Sequence, residues 1–212
     1  GVVLYDVPLR MSQPQLSVGG KLAAVCDVGG GVLQILDQDG IRRTMRTESG
    51  LCYFSANLNG GDYLAATSQK TGYKASVAVY DPEGELVFTF DSYDNYLSDA
   101  KVTEDGRSVI IVSLESQEGI FASRLLVYDL NSDEVRSSAS IRDGLVKDFH
   151  CSGNKVLSLC DKRFTITDLE GETLLDRSYG NLYLHDYALT GNGFAALLLG
   201  RYQAGNICTL TT

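Results

Sequence analysis

The sequence predicts an all-β protein made of repeated four-stranded antiparallel units, and three observations support this fold class. A hairpin phrase recurs along the chain, a polar turn followed by an apolar run recurs with the same period, and no window of a dozen residues combines helical apolar spacing with caps. A period of about 40–45 residues with four short strands is typical of a β-propeller blade. We therefore expect a β-propeller with four full blades and a partial terminal blade.

The recurring hairpin is clearest at Ser76–Asp91, SVAVYDPEGELVFTFD. Small and apolar residues alternate up to Asp81, Pro82-Glu83-Gly84 reverses the chain, and the alternation then resumes. Pro presets φ at the second position of the turn, and Gly tolerates the conformation that the fourth position requires. The Asp that ends the first strand of this hairpin recurs in steps of 44, 48 and 39 residues, at Asp37, Asp81, Asp129 and Asp168.

The second landmark is a turn glycine that precedes each hairpin. It recurs in steps of 41, 45, 47 and 38 residues, at Gly20, Gly61, Gly106, Gly153 and Gly191. After it comes an apolar run, and the run Arg107–Leu114 is nearly continuous, as expected for a strand covered on both faces. We expect residues of these second strands to be nearly fully buried, namely Val25, Ala65, Val109, Ile111, Leu157 and Leu197.

The two landmarks together define a single domain of five blades, at about 7–49, 50–94, 95–142, 143–180 and 181–212 with 1–6. The fifth blade has only three predicted strands, and Gly1–Asp6, GVVLYD, reads as a lone strand. Either residues 2–6 close a five-bladed ring, or the chain is part of a larger ring; their likeness to a third strand favours the larger ring. A pair of Ig-like sandwiches also has short strands, but two landmarks in phase disfavour it.

Composition and charge exclude some functions. The 212 residues are 44% hydrophobic and 21% charged, which is ordinary for a globular protein, and the formal net charge of −9 argues against nucleic acid as a partner. The sequence contains no apolar run of about 18 residues and no signal-peptide pattern. Because it starts at Gly1, we expect any membrane attachment to come from an N-terminal anchor outside this sequence.

The five cysteines predict buried free thiols. A hairpin around residues 152–155 puts Cys151 opposite Val156 and leaves Cys160 roughly 13 Å away, too far for a disulfide. There is no CxxC, no His at ligand spacing from a Cys, and no EF-hand spacing in DSYDN at Asp91–Asn95. We therefore expect no metal site and no cofactor.

Several phrases carry a resemblance to a known family. They are LYD at 4–6, VGGKLAAVCDVGGGVLQILDQDGI after Pro14, VAVYDPEGEL at 77–86 and AKVTEDGRSVIIVS at 100–113. Together they resemble an uncharacterised family of propeller-like domains of Gram-positive bacteria, which implies an extracytoplasmic domain of unknown function, carried on a membrane-anchored protein. The same phrases resemble WD40 and quinoprotein-type repeats, although the chain has no Trp to dock quinoprotein blades.

Candidate site residues lie near the start of the predicted innermost strands, which line the channel of a propeller. Asp99, Asp148 and Asp186 recur there, and the second blade has Tyr53. Carboxylates in a ring could bind a cation or share a proton. Alternatively, each accepts backbone N–H groups from a neighbouring turn between blades, and the repetition favours this interpretation because catalysis usually breaks repeat symmetry.

The two histidines follow the same strands. His150 lies two residues after Asp148 and shares its face, whereas His185 directly precedes Asp186 and is assigned to the opposite face. No GxSxG elbow accompanies them, so we name no catalytic residue and treat both as candidate binding positions at the channel or rim.

Two hypotheses of function follow. The first is a noncatalytic propeller that binds a protein, peptide or glycan partner, and the alternative is a hydrolase or lyase that uses the acidic residues of the channel. Fold alone does not separate them, since propellers host both.

Overall fold

We describe a computed structural model of the chain. The structure describes residues 6, 8–46, 53–59, 61–117, 119–132, 134–190, 194–201 and 208–211, and in 53, 54, 117 and 208–211 only the backbone. These ranges form strands and turns with no helix, in five separate sheets. Accordingly, they include no helix that is long and apolar enough to cross a membrane.

Each sheet consists of strands that follow one another along the chain, and neighbours in the chain are neighbours in the sheet. The first four sheets have four strands, and three strands of the fifth are described. The strands are β1 (Pro14–Gly19), β2 (Leu22–Asp27), β3 (Val32–Asp37) and β4 (Gly40–Arg46); β5 (Tyr53–Leu58), β6 (Leu64–Ser68), β7 (Ala75–Tyr80) and β8 (Leu86–Ser92); β9 (Tyr96–Val102), β10 (Ser108–Gln117), β11 (Ile120–Asp129) and β12 (Val135–Ile141); β13 (Val146–Ser152), β14 (Lys155–Cys160), β15 (Arg163–Asp168) and β16 (Thr173–Ser178); β17 (Tyr183–Leu189), β18 (Ala195–Gly200) and β19 (Cys208–Thr211).

The described residues group into two compact units, and the division runs through the third sheet. Unit 1 comprises Gly1–Ser113 and Val127–Val135, and unit 2 comprises Leu114–Leu126 and Arg136–Thr212. In unit 1 the alternating residues Leu22, Ala24 and Cys26 of β2 pack in one cluster with residues of β5 and β6. This is how two antiparallel sheets bury the face that they share.

Unit 2 has a core of the same kind. Leu157 and Leu159 of β14 form one cluster with Leu197 and Leu199 of β18, and Tyr179 joins them from the end of β16. The spacing of two along both strands brings the apolar residues to one face, as strand geometry requires.

The predicted burial of the second strands is confirmed at five of six positions. Ala65, Val109, Ile111, Leu157 and Leu197 are buried. The prediction for Val25 is wrong, because this residue is half-buried. Val25 pairs with Leu16, which is 65% exposed, so the face of the first sheet that carries both residues is covered only in part.

The predicted free thiols are confirmed for the three cysteines whose side chains are described. Cys26, Cys151 and Cys160 are buried and free. Cys151 pairs with Val156 across the β13–β14 turn, in the predicted register. Burial raises the pKa of Cys26 to about 11 and that of Cys160 to about 12, so both stay protonated at neutral pH.

Candidate functional site

The three predicted aspartates lie in the first strands of the third, fourth and fifth sheets and make the same local contact. The Oδ1 atom of each accepts a hydrogen bond from the backbone N–H of the next residue. The distances are 2.9 Å for Asp99, 2.8 Å for Asp148 and 2.8 Å for Asp186. The donor is therefore a local backbone group rather than a turn of a neighbouring blade.

Two of the three aspartates, Asp148 and Asp186, directly follow a bulge in the inner strand. In β13 the partner of Cys160 is Val146 and the partner of Leu159 is Asp148, so one residue of β13 is extra. The same shift precedes Asp186 in β17 and leaves His185 as the extra residue. A bulge interrupts the ladder of backbone hydrogen bonds, and a short carboxylate can accept an N–H group at the interruption.

Asp99 makes further hydrogen bonds within unit 1. The Nδ2 of Asn57 in β5 donates to Asp99 Oδ1 over 2.7 Å and to the carbonyl oxygen of Ala100 over 2.9 Å. Burial raises the pKa of Asp99, although Lys101 and the hydrogen bonds that Asp99 accepts act in the opposite direction. Asp99 thus links the first strands of two consecutive sheets.

The structure does not bring the predicted site residues into one metal-binding cluster. Across the described residues there is no group of three or more His, Cys, Asp or Glu that could hold a metal ion. His150 is half-buried, and its Nε2 has no hydrogen-bond partner in the described part of the chain. His185 is exposed, and Tyr53 belongs to β5 with its side chain outside the described set. A binding role for these residues stays a prediction.

A different group of side chains forms a tyrosine-rich surface at one end of the second sheet. We define the tyrosine platform as Lys70, Tyr73, Lys74, Tyr93 and Tyr96, which lie in or beside the β6–β7 and β8–β9 connections. The side chains of Tyr93 and Tyr96 are 65% and 56% exposed. Because isolated exposed apolar groups are common but clustered aromatic groups are not, the platform is the strongest candidate for a binding surface in unit 1.

Backbone hydrogen bonds hold the two connections of the platform together. The N–H of Tyr73 donates to the carbonyl oxygen of Lys70 over 3.0 Å, and the N–H of Lys74 donates to that of Ser92 over 2.9 Å. The rings of Tyr73 and Tyr93 then lie 4.3 Å apart, centre to centre, with an angle of 41° between their planes. The Tyr93 hydroxyl donates to the Tyr73 hydroxyl over 3.0 Å, and this hydrogen bond raises the pKa of Tyr93.

Both lysines of the platform lie near an aromatic ring and an oxygen atom. Lys70 Nζ lies 2.7 Å from Asp91 Oδ2 and 5.3 Å from the ring centre of Tyr73. Lys74 Nζ donates to the carbonyl oxygen of Asp94 over 2.7 Å and lies 5.5 Å from the ring centre of Tyr96. Each ammonium group therefore makes a cation–π contact with one tyrosine ring of the platform.

The sequence indicates the platform by tyrosines in polar segments between strands, a feature that strand periodicity and motif spacing do not detect. Tyr73 lies in TGYK and the other two tyrosines in DSYDNY, both polar segments between strands where aromatic residues have no core to enter. The DSYDNY segment lacks the spacing of a calcium loop, and its tyrosines belong to a surface instead. Placing both segments at the same end of one sheet required the strand order.

Solved structures with the same fold place the chain among β-propellers. It resembles the β-propeller domain of Cps50 (Swd1) from Myceliophteria thermophila, with a TM-score of 0.62, 17% identity, and coverage of 89% of this chain and 61% of that one. It also resembles KlHsv2 with loop 6CD replaced by a Gly-Ser linker, with a TM-score of 0.62, 14% identity, and coverage of 97% of this chain and 72% of that one. A third similar structure is a protein of unknown function from Bacteroides caccae, with a TM-score of 0.54, 13% identity, and coverage of 95% of this chain and 73% of that one.

The predicted fold class, an all-β propeller of four-stranded antiparallel blades, is confirmed. The chain belongs to DUF5711, a family of unknown function that matches residues 1–179. This confirms two parts of the expected resemblance, a family of unknown function and a propeller fold. No curated protein matches the chain. It spans less than two thirds of the Cps50 (Swd1) domain, and identities this low show the fold alone.

Proposed function

We propose that the chain is a noncatalytic β-propeller module that binds a protein or peptide partner through the tyrosine platform. The observation that carries the proposal is the cluster of Tyr73, Tyr93 and Tyr96 on two connections that are hydrogen-bonded to each other. Binding residues lie disproportionately on loops held by a rigid scaffold. The carboxylates of the inner strands accept backbone N–H groups, and this gives no specific support to the hydrolase or lyase alternative.

Tyrosine suits this function because it offers a large contact area at a small loss of conformational entropy. Its hydroxyl group can hydrogen-bond to a partner while the ring contacts apolar atoms. In the platform, the contacts with Lys70 and Lys74 further restrict the rings before any partner arrives. Less ordering is then required on binding, which favours affinity.

We also propose that the module is the extracytoplasmic part of a membrane-anchored bacterial protein. The support is the resemblance carried by the phrases around Pro14 and VAVYDPEGEL. Protease treatment of intact cells that express the parent protein tests this location. We expect the propeller to be digested in intact cells, and protection until the cells are lysed would contradict the location.

Panning of a displayed random-peptide library against the purified chain tests the binding function. We expect selected peptides to bind the double variant Tyr93→Ala/Tyr96→Ala at least about tenfold more weakly, since tyrosines at interface hot spots often contribute this much or more. Tyr183→Ala is a matched control, because Tyr183 is 56% exposed and lies in unit 2, outside the platform. This control should bind like the unchanged chain.

Two results would contradict the proposal. One is that every selected peptide binds Tyr93→Ala/Tyr96→Ala as tightly as it binds the unchanged chain, while the variant keeps its circular dichroism spectrum and Tm. The other is binding of an arrayed glycan, with no peptide selected, that is lost in the same double variant, which would make the partner a glycan.

A further inference from the structure

The β10–β11 hairpin departs from the repeat. Both of its strands have ten residues, whereas the other described strands have four to seven. At about 3.3 Å per residue, the excess of three or more residues extends this hairpin by roughly 10 Å. Its tip exposes Ile120 and Phe121, at 63% and 61%. An exposed apolar tip on an extended hairpin is not needed to bury the core of a blade.

The extension carries the first residues of β11 past the end of β12, its neighbour on one edge. β12 has seven residues and cannot pair along all ten residues of β11. The N–H of Ser123 donates to the carbonyl oxygen of Gly144 over 3.1 Å, and the N–H of Val146 donates to Ser123 Oγ over 2.9 Å. These bonds fall after β12 has ended, so residues 120–122 lie beyond the paired part of β11. Unpaired edges of this kind are sites of strand addition.

A cavity of about 860 Å³ lies beside this edge, within unit 2. Ile120, Ala122 and Arg124 line it from β11, and their spacing of two places them on one face of the strand. Ser140 and Arg142 line it from the end of β12 and the residues that follow. The wall therefore combines an apolar strip with guanidinium groups.

The charges around the cavity leave one cation unpaired. Arg124 Nε lies 2.9 Å from Glu115 Oε1, and Asp143 Oδ1 lies 2.8 Å from Lys162 Nζ. Arg142 is exposed and has no ion pair among the described residues. The guanidinium of Arg142 at the cavity wall is therefore available to form a bidentate ion pair with a carboxylate of a ligand.

We propose that an extended acidic peptide binds here, adding as a strand to the free edge of β11. A carboxylate of the peptide pairs with Arg142, and an apolar side chain two residues away contacts Ile120 and Ala122, because residues i and i+2 of a strand share a face. This surface is separate from the tyrosine platform, and the proposal does not depend on it.

Fluorescence anisotropy with a labelled peptide of sequence Val-Thr-Glu-Thr-Val-Thr-Glu tests the proposal. One face of this peptide presents Val and Glu, and a control peptide has Gln in place of both Glu residues. We expect Arg142→Gln to weaken binding of the Glu peptide at least about tenfold and to leave the weaker Gln peptide unchanged. The matched control is Arg107→Gln, since Arg107 is an exposed arginine of unit 1 outside the cavity, and it should have no effect.

Backbone N-methylation of the peptide tests strand addition. Methyl groups on one set of alternate residues should abolish binding, and those on the other set should be tolerated, because an edge strand pairs along one side only. The platform variant Tyr93→Ala/Tyr96→Ala should bind the Glu peptide normally, which separates this proposal from the function proposed above.

Several results would overturn the proposal. The Glu peptide could show no saturable binding at millimolar concentration, or the Gln peptide could bind equally well. Equal losses in Arg142→Gln and Arg107→Gln would indicate unspecific charge attraction. Competition by free glutamate at the same concentration as the peptide would indicate a small-anion site instead.

Discussion

At the scale of single residues, the recurring aspartates of the inner strands have a structural explanation. Asp99, Asp148 and Asp186 each accept the N–H of the following residue, and Asp148 and Asp186 do so directly after a bulge. Their surroundings differ, however, because Asp99 is half-buried and also accepts a hydrogen bond from Asn57, whereas Asp186 is exposed. The same contact should therefore contribute unequally to stability, since water can replace a lost acceptor only at an exposed site.

This difference gives a prediction. Asp99→Ala should lower the free energy of unfolding by about 1–3 kcal/mol, because it leaves partly buried donors without an acceptor. Asp186→Ala should lower it by less than about 1 kcal/mol, because its N–H donor can bond to water. Urea denaturation followed by circular dichroism measures both values. Equal losses in the two variants would contradict the argument from burial.

At the scale of elements, a strand that is covered on both faces buries consecutive apolar side chains. Ile111 in β10 is fully buried, as are its neighbours Val109, Ile110 and Val112. Leu16 in β1 is equally apolar but 65% exposed, because its face of the first sheet is covered only in part. Burial by a neighbouring sheet, rather than residue type, therefore decides what such a side chain contributes.

We accordingly predict a large contrast between two truncations. Ile111→Ala should destabilise the chain by about 2–5 kcal/mol, through lost transfer energy and a residual cavity. Leu16→Ala should change stability by less than about 0.5 kcal/mol, as is usual for exposed positions. Both are measured by urea denaturation at constant pH. A loss below about 1 kcal/mol for Ile111→Ala would mean that β10 is not enclosed on both faces.

Strands and their order could be predicted from the sequence because the signals are local. A turn glycine, an alternating run and a closing Asp lie within about twenty residues of one another, as at Gly61 and Asp81. Burial of Val25 could not be predicted in this way, because it depends on which sheets flank β2. The bulge at His185 has no local sequence signal either, and it interrupts the strict alternation that predicts opposite faces for His185 and Asp186.

The candidate sites were harder to predict than the fold for the same reason. Tyr73 and Tyr93 are twenty residues apart in the sequence, and only the antiparallel order of the second sheet brings their rings to 4.3 Å. Arg142 looks like any surface arginine until the length of β11 is known. Both candidate sites lie where the chain departs from the repeat, and the period of the repeat carries no information about such positions.

At the scale of the whole molecule, the repeat provides stable sheets, and the variable connections provide surfaces. The platform lies on the β6–β7 and β8–β9 connections, and the proposed acidic-peptide site lies on the extended β10–β11 hairpin of the third sheet. Loops can change without loss of the core because they contribute little buried apolar area. The two recognition surfaces proposed above lie on connections and hairpins of one chain, and separate variants test them.

Ionisable groups buried in both units should make the stability of the whole chain depend on alkaline pH. Burial raises the pKa of Cys26 to about 11 and that of Cys160 to about 12. Burial also raises the pKa of Tyr128 and of Tyr179. In the unfolded chain, thiols titrate near pH 8.5 and phenols near pH 10, as for free side chains.

The sign of the effect follows from proton binding. Above about pH 8.5 the unfolded chain loses these protons first, so it binds fewer protons than the folded chain, and stability falls as pH rises. The thiol contribution is complete below about pH 8.5 and is lost progressively up to the folded pKa of about 11 for Cys26 and about 12 for Cys160. We predict that Tm, measured by calorimetry between pH 8 and pH 11, declines throughout this range. Cys160→Ala, although less stable at pH 8, should show a smaller decline, because it removes one buried group that the unfolded chain ionises. A Tm that stays constant up to pH 11, or an equal decline in Cys160→Ala, would contradict the assignment of alkaline destabilisation to this buried thiol.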